Sequence, residues 1–388
     1  MWTLRKGERF RIVKWLINPD PDHYWQKEMC RNLISVKIII VFLFCFGNLY
    51  SQSDISAIKT LKGTIHKYTI SDNSDTLSSG EIIELRASNG LPLWFSREFY
   101  QVVCLTGLCR MVHYKIYWKG SGTYLGLEVY EKEPLTKSDH TEFKKEDYSK
   151  LDRILGDSIS VFKKLKPEDL IIPSKDSIKN PVDGHSGATE PSISAYVVKD
   201  AVYTCYTLWH TVYGSTFQKL KSILDQRTNS AYLQLVFNQN DPDYVLWGIN
   251  FVKNHKDYHT EFFQRISGFI KSENINISKA ALKYFTPSIL SDISVQKELA
   301  SMEVSVERKF DIIWLLSTLP DVGNETILYL LGQFEGDQLS STMLGYVYKM
   351  ISTEKLKDAR ILVKLKTFAD DDNMYVRNIT KQVLSQVN

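Results

Sequence analysis

Residues 241–252 read Asp241-Pro242-Asp243-Tyr244-Val245-Leu246-Trp247-Gly248-Ile249-Asn250-Phe251-Val252. An aspartate followed by proline is a helix start: the carboxylate caps a free backbone N–H, and proline suits the first helical position because no N–H is needed there. Val245, Leu246, Ile249 and Val252 then recur at helical spacing, which gives the segment one apolar face. Comparable amphipathic stretches begin near Ile275, Val306, Ser340 and Asn373. The interval is roughly 30 to 35 residues, long enough for a second helix between each pair. Such units cannot bury their apolar faces alone, so the pattern predicts a helix-pair solenoid over 215–388 rather than a bundle.

Upstream the texture changes. Lys62 to Ile70 alternates, Glu81 to Leu85 is apolar, and Arg110–Lys119 and Tyr124–Tyr130 flank Gly120-Ser121-Gly122, the signature of a hairpin. Thr141 is expected to open an amphipathic helix carrying Phe143, Tyr148, Leu151, Ile154 and Leu155, with Gly156 closing it. Between Pro167 and Pro191 runs a loop rich in Pro, Ser, Lys, Asp and Gly, a place where functional residues are often presented. The fold class expected is therefore an α+β domain over 53–214 followed by an all-α repeat domain over 215–388.

With 388 residues, 43% of them hydrophobic, the chain can bury a core for each domain. A net charge of +3, its basic residues scattered among acidic ones, argues against a nucleic-acid partner. Near the start, Cys30-Arg31-Asn32 and Lys37 form a basic flank, Ile38 to Phe46 an apolar run, and Gly47 to Ser53 a small polar stretch. This is the order of a secretory signal, placed at 29–52. The run is shorter than the roughly 20 residues of a membrane span, so cleavage is expected, with a retained anchor as the alternative. Met29 stands directly before the basic flank. Met1 to Glu28 accordingly reads as an over-extended start, the alternative being a real cytoplasmic tail. The location expected is outside the cytoplasm, periplasmic or in the cell envelope, and membrane-anchored if the segment is kept.

Export leaves Cys104, Cys109 and Cys205 in an oxidising compartment. Cys104 and Cys109 flank Leu-Thr-Gly-Leu, whose Thr106-Gly107 can turn the chain back. A structural disulfide between them is expected, with a redox-active pair or free thiols as alternatives. Cys205 reads as a small buried residue.

Asp183-Gly184-His185-Ser186-Gly187-Ala188-Thr189 lies in the polar loop. Its Asp-x-x-Ser-Gly-Ala-Thr resembles the motif that flavin transferases modify in FMN-binding domains, including the C subunit of the sodium-pumping NADH:quinone reductase. The resemblance implies covalent FMN, with its phosphate esterified to the hydroxyl of Thr189, and Asp183, Ser186, Gly187 and Ala188 at the other matched positions. It also implies a flavin transferase as maturation partner and an unidentified redox partner, such as a membrane complex. An electron-transfer flavoprotein is expected more than a stand-alone enzyme. Gly187 and Ala188 let a transferase approach the backbone closely. The resemblance covers about 61–214. The pump subunit keeps a membrane helix and has no counterpart of the helical array, which sets this chain apart from pump membership. The array itself resembles HEAT-type repeats, which implies a protein partner bound along it.

Other chemistry is poorly represented. Asp139-His140 and His185 are candidate metal ligands, but no two histidines have ligand spacing, and no metal is expected. Tyr203 and Trp209, on an aromatic stretch running to His210, are expected to be core, with flavin stacking the alternative. Expressed from Met29, the protein should appear outside the cytoplasm without the residues before about 51–53. N-terminal sequencing checks this, and an intact Met1 on a cytoplasmic product refutes both the start and the compartment.

Overall fold

The computed structural model describes residues 52–71, 80–103, 110–130, 132–173, 187–189 and 191–385. The apolar segment, Met29, Cys104, Cys109, Asp183, His185 and Ser186 lie outside them. Among the described residues no helix is long and apolar enough to cross a membrane.

A five-stranded antiparallel sheet comes first, followed by a largely helical region. After a short helix α1 (Gln52–Lys59), the strands are β1 (Thr64–Thr69), β2 (Glu81–Arg86), β3 (Pro92–Gln101), β4 (Val112–Lys119) and β5 (Tyr124–Val129), neighbours in space in the order of sequence. The expected hairpin is present: β4 pairs with β5, Ile116 opposite Leu127 and Tyr117 opposite Gly126, and Gly122 turns the chain at φ +86°. Such a positive φ is open to glycine at little cost. A side chain on Gly126 would collide with Ile55, so glycine there lets α1 lie against β5. α1 was not foreseen from the sequence.

β3 falls in the strand-like stretch of about 61–130 but was not singled out within it. Phe95, Ser96 and Arg97 are buried in succession, so the strand lacks the alternation of a half-buried one. Arg97 is 2% exposed; its guanidinium donates to Thr216 Oγ1 at 2.8 Å and lies 4.8 Å from the centre of the Phe99 ring. Ile82, Tyr114, Ile116 and Trp118 are also fully buried, and the Trp118 indole donates to the Val212 carbonyl.

The next helix, α2 (Lys145–Gly156), starts later than the expected Thr141. Asp139 accepts hydrogen bonds from the backbone and hydroxyl of Thr141, and Thr136 bridges to Glu142, so these residues form a turn. The helix is capped instead by Asp147, which accepts from the Lys144 N–H, while Phe143 packs on Tyr148 across the entry. Two short strands follow, β6 (Ile171–Pro173) and β7 (Gly187–Thr189), then a helical turn α3 (Pro191–Ser194) and α4 (Val202–Val212), which packs on α2.

Two units divide the chain. The first holds the described residues to Leu85, with Trp94–Trp118 and Tyr124–Phe217; the second holds Arg86–Leu93, Lys119–Thr123 and everything from Gln218. The division falls inside α5 (Ser215–Arg227). The second unit continues with α6 (Ser230–Phe237), α7 (Pro242–Asn254), α8 (His259–Phe269), α9 (Ile275–Tyr284), α10 (Ile293–Ser301), α11 (Val306–Ser317), α12 (Asn324–Glu335), α13 (Ser341–Tyr348), α14 (Ala359–Phe368) and α15 (Met374–Leu384). Helices begin at all five expected places, α7, α9, α11, α13 and α15, each with a capping side chain: Asp241, Asn274, Ser305, Ser340 and Asn373. Besides packing on sequence neighbours, helices pack on their next-but-one neighbours, α7 on α9, α11 on α13, α13 on α15, α10 on α12 and α12 on α14. One apolar core runs through the series from Leu233 to Val383.

Within that core a single polar side chain joins two turns. Gln296 on α10 is 2% exposed; its amide donates to the carbonyls of Leu290 at 2.8 Å and Asp321 at 3.2 Å, and its oxygen accepts from Gly323 N–H at 2.8 Å. Gln296→Leu leaves the buried Leu290 carbonyl and Gly323 N–H without this partner, loses the bond to the Asp321 carbonyl as well, and should destabilise the helical unit by about 3 kcal/mol. Gln296→Glu, which cannot donate, should also destabilise it. Urea denaturation followed by helical circular dichroism checks both, and a midpoint unchanged in the Leu variant refutes the role.

Candidate functional site

Thr189 ends β7, whose three residues are the last three of the sequence motif. The strand pairs antiparallel with β6: Gly187 faces Pro173, Ala188 faces Ile172 and Thr189 faces Ile171. The polar loop therefore has an ordered base, two strands of a hairpin, where the sequence suggested only irregular chain. The hairpin follows directly from Leu170, which is fully buried after a turn over Pro167–Asp169. Asp169 closes that turn by accepting from the Lys166 N–H. Past the site, Ile193, Val197 and Val198 are buried and fix the exit of the chain.

Thr189 itself is partly exposed. A phosphoester needs a hydroxyl, and Thr189 is the residue of β7 that carries one. Asp183 and Ser186, the outer positions of the motif, lie outside the described residues.

The aromatic helix α4 resolves into two kinds of residue. Trp209 is core: it is 4% exposed, and its indole donates to the Asp157 carbonyl at 2.9 Å. Tyr206 donates to Leu165 O at 3.2 Å and lies 4.2 Å, centre to centre, from the His210 ring. Tyr203 Oη and His210 Nε2 differ, for each is buried and meets no hydrogen-bond partner among the described residues. Burial lowers the pKa of His210, partly opposed by a hydrogen bond with the Phe162 backbone, so the imidazole is held toward its neutral form. Buried polar atoms of this kind are usually satisfied, often by water or a bound group. Sequence reasoning singled out Tyr203 but gave no role to His210. The signal was the spacing of 203, 206 and 210, which shares one helical face.

Asp139 is engaged by Thr141, and these hydrogen bonds hold its carboxyl below the usual range. Among the described residues no group of three or more His, Cys, Asp or Glu side chains could hold a metal ion. In the helical unit a groove of 890 Å³ is lined by Lys271, Glu273, Glu303, Arg308, Lys309 and Tyr329, among others. Its charges are mixed, and the Lys309 amine is already committed to the carbonyls of Ala300 and Met302, both at 2.8 Å.

Cys205 lies in the core as expected, fully buried on α4, and its sulfur accepts from the Val198 N–H at 3.4 Å. Burial pushes the thiol up to about 12, so the nucleophilic thiolate is nearly absent at neutral pH. Native protein treated with iodoacetamide at mildly alkaline pH should leave the Cys205 peptide unmodified, and guanidinium-unfolded protein should label it fully. Peptide mass spectrometry reads both, and rapid labelling of native Cys205 refutes its burial.

No family model, curated protein or solved structure matches the chain.

Proposed function

We propose that this is an exported flavoprotein that carries FMN esterified to Thr189 and acts in electron transfer outside the cytoplasm. In this reading residues 53–214 form an FMN-binding-like domain and residues 215–388 a HEAT-like solenoid. The observation that carries the proposal is the motif Asp183-Gly184-His185-Ser186-Gly187-Ala188-Thr189, whose last residue, partly exposed as a whole, ends β7. Thr189 contributes the oxygen of the link. Gly187 and Ala188 keep the backbone open to a flavin transferase, and Asp183 and Ser186 serve its recognition. When bound, the flavin supplies the redox chemistry, and the chain orients it and sets its surroundings. The signal-like order around Ile38 supports maturation in the periplasm or cell envelope, where a redox partner such as a membrane complex would be met. A retained apolar segment would make the protein membrane-anchored.

A second reading is favoured by the next-but-one packing of the helices: a repeat scaffold that binds a protein partner, its front domain having no redox role. Flavin absorption after co-expression with a flavin transferase separates the two.

Thr189→Val keeps the branched shape while removing the oxygen, so it should abolish covalent FMN in a folded protein. Thr189→Ser should retain part of it, and Asp183→Asn and Gly187→Val should lower attachment. Mass spectrometry of the peptide spanning Thr189 decides: an unmodified wild-type peptide from protein co-expressed with an active transferase refutes the flavin reading.

A further inference from the structure

The segment that leads into the candidate hairpin is fastened by side chains of α4. Tyr206 donates to the Leu165 carbonyl at 3.2 Å, and His210, one turn on, has a hydrogen bond with the Phe162 backbone. The Phe162 ring is fully buried, edge-on to Tyr206 at 5.8 Å and tilted against Trp209 at 6.4 Å. Leu170, also fully buried, ends the segment, and β6 begins at the next residue. What holds Val161–Leu170 on α4 therefore also anchors the start of β6, with which β7 pairs.

One of these fastenings belongs to a side chain that titrates near neutral pH. The His210 ring lies 4.2 Å from that of Tyr206 and 5.0 Å from that of Trp209, centre to centre, and its Nε2 is buried with no hydrogen-bond partner among the described residues. Tyr203 Oη is buried and unpartnered too, so it does not serve as that partner. A neutral imidazole merely leaves a lone pair unused there. An imidazolium carries a hydrogen on both nitrogens, and at Nε2 nothing described accepts it.

The charged groups nearby do not offset this. Glu168 and Asp169, from the turn before Leu170, act on the Tyr206 hydroxyl, and Lys163 and Lys164, which follow Phe162, have the sign of an imidazolium. From α2, Asp147 and Lys150 act on Cys205, and Asp157, just past that helix, acts on Tyr213. Burial accordingly lowers the pKa of the His210 ring, with the Phe162 backbone opposing it in part.

We infer that His210 is an acid-sensitive latch: while its imidazole is neutral, Val161–Leu170 stays closed on α4, and on protonation the segment lifts to admit water to Nε2, loosening the β6–β7 hairpin that follows. The open form binds the proton with ordinary affinity and the closed form with less, so closure is strongest above the ordinary histidine range and is lost progressively as the pH falls through it. In the flavin reading the loosened hairpin is the one a transferase must reach, but the latch does not depend on that reading.

Hydrogen–deuterium exchange of the full chain, purified without a transferase, tests the latch at about pH 7.5 and about pH 5.5, where ordinary carboxylates stay ionised. After correction for the intrinsic pH dependence of exchange, opening in peptides from 161–173 should rise at least about fivefold at the lower pH, while peptides from α9 to α12 keep their protection. His210→Gln, which keeps a donor for the Phe162 backbone but takes up no proton, should remove the difference. His210→Phe, which keeps a ring, should do the same, and either variant serves if the other fails to fold. Equal protection at both pH values, a difference that survives in a folded variant, or a loosening spread over the whole chain would each overturn the latch. Since the protein tested carries no flavin, these outcomes stand apart from those of the Thr189 variants.

Discussion

Every helix leaves backbone N–H groups free at its start and carbonyls free at its end, and a stack of short helices multiplies these ends. The second unit is organised by the need to satisfy them. Asn229, Asp292 and Asp358 cap α6, α10 and α14, as Asp241, Asn274, Ser305, Ser340 and Asn373 cap their helices. Each such cap contributes about 1 kcal/mol. Long side chains serve the opposite ends: Arg265 donates to the Phe237 carbonyl, and Lys309 to those of Ala300 and Met302. Where turns are buried, the donors and acceptors come from inside, through Gln296 and Ser278. Once the ends are satisfied, the apolar faces can close over one another without trapping bare backbone.

This explains what the sequence disclosed. A cap acts on its own helix within three residues, so Asp241-Pro242 and the starts near Ile275, Val306, Ser340 and Asn373 were legible in one dimension. Gln296 was not, because its partners Leu290, Asp321 and Gly323 are joined to it only by the fold. The same division holds in the sheet. Lys62 to Ile70 alternates because one face is wet, whereas β3 conceals itself by burying Phe95, Ser96 and Arg97 together. Thr141 misled because the Asp and Thr side chains that cap helices also close turns, and Asp139 and Thr141 do the latter.

The candidate site was legible as a string of residue types, not as geometry. Gly187, Ala188 and Thr189 have low bulk and no periodicity, so nothing in them announced a strand, and their partners in Ile171–Pro173 stand fourteen to eighteen positions away in the chain. Tyr203 and His210 show the converse. Their spacing on α4 was visible, but that Tyr203 Oη and His210 Nε2 are buried with no hydrogen-bond partner among the described residues is a property of the packed chain.

The position of α1 bears on the order of events in the life of the molecule. Gln52–Lys59 is helical, its Ile55 is 6% exposed, and the Ile58 carbonyl receives the Trp94 indole at 3.2 Å. A peptidase works on extended chain, and a wound, docked helix offers it none. On the proposal that a signal is removed near 51–53, the cut would come while this segment is still slack, and the speed with which α1 docks would set how many chains escape it.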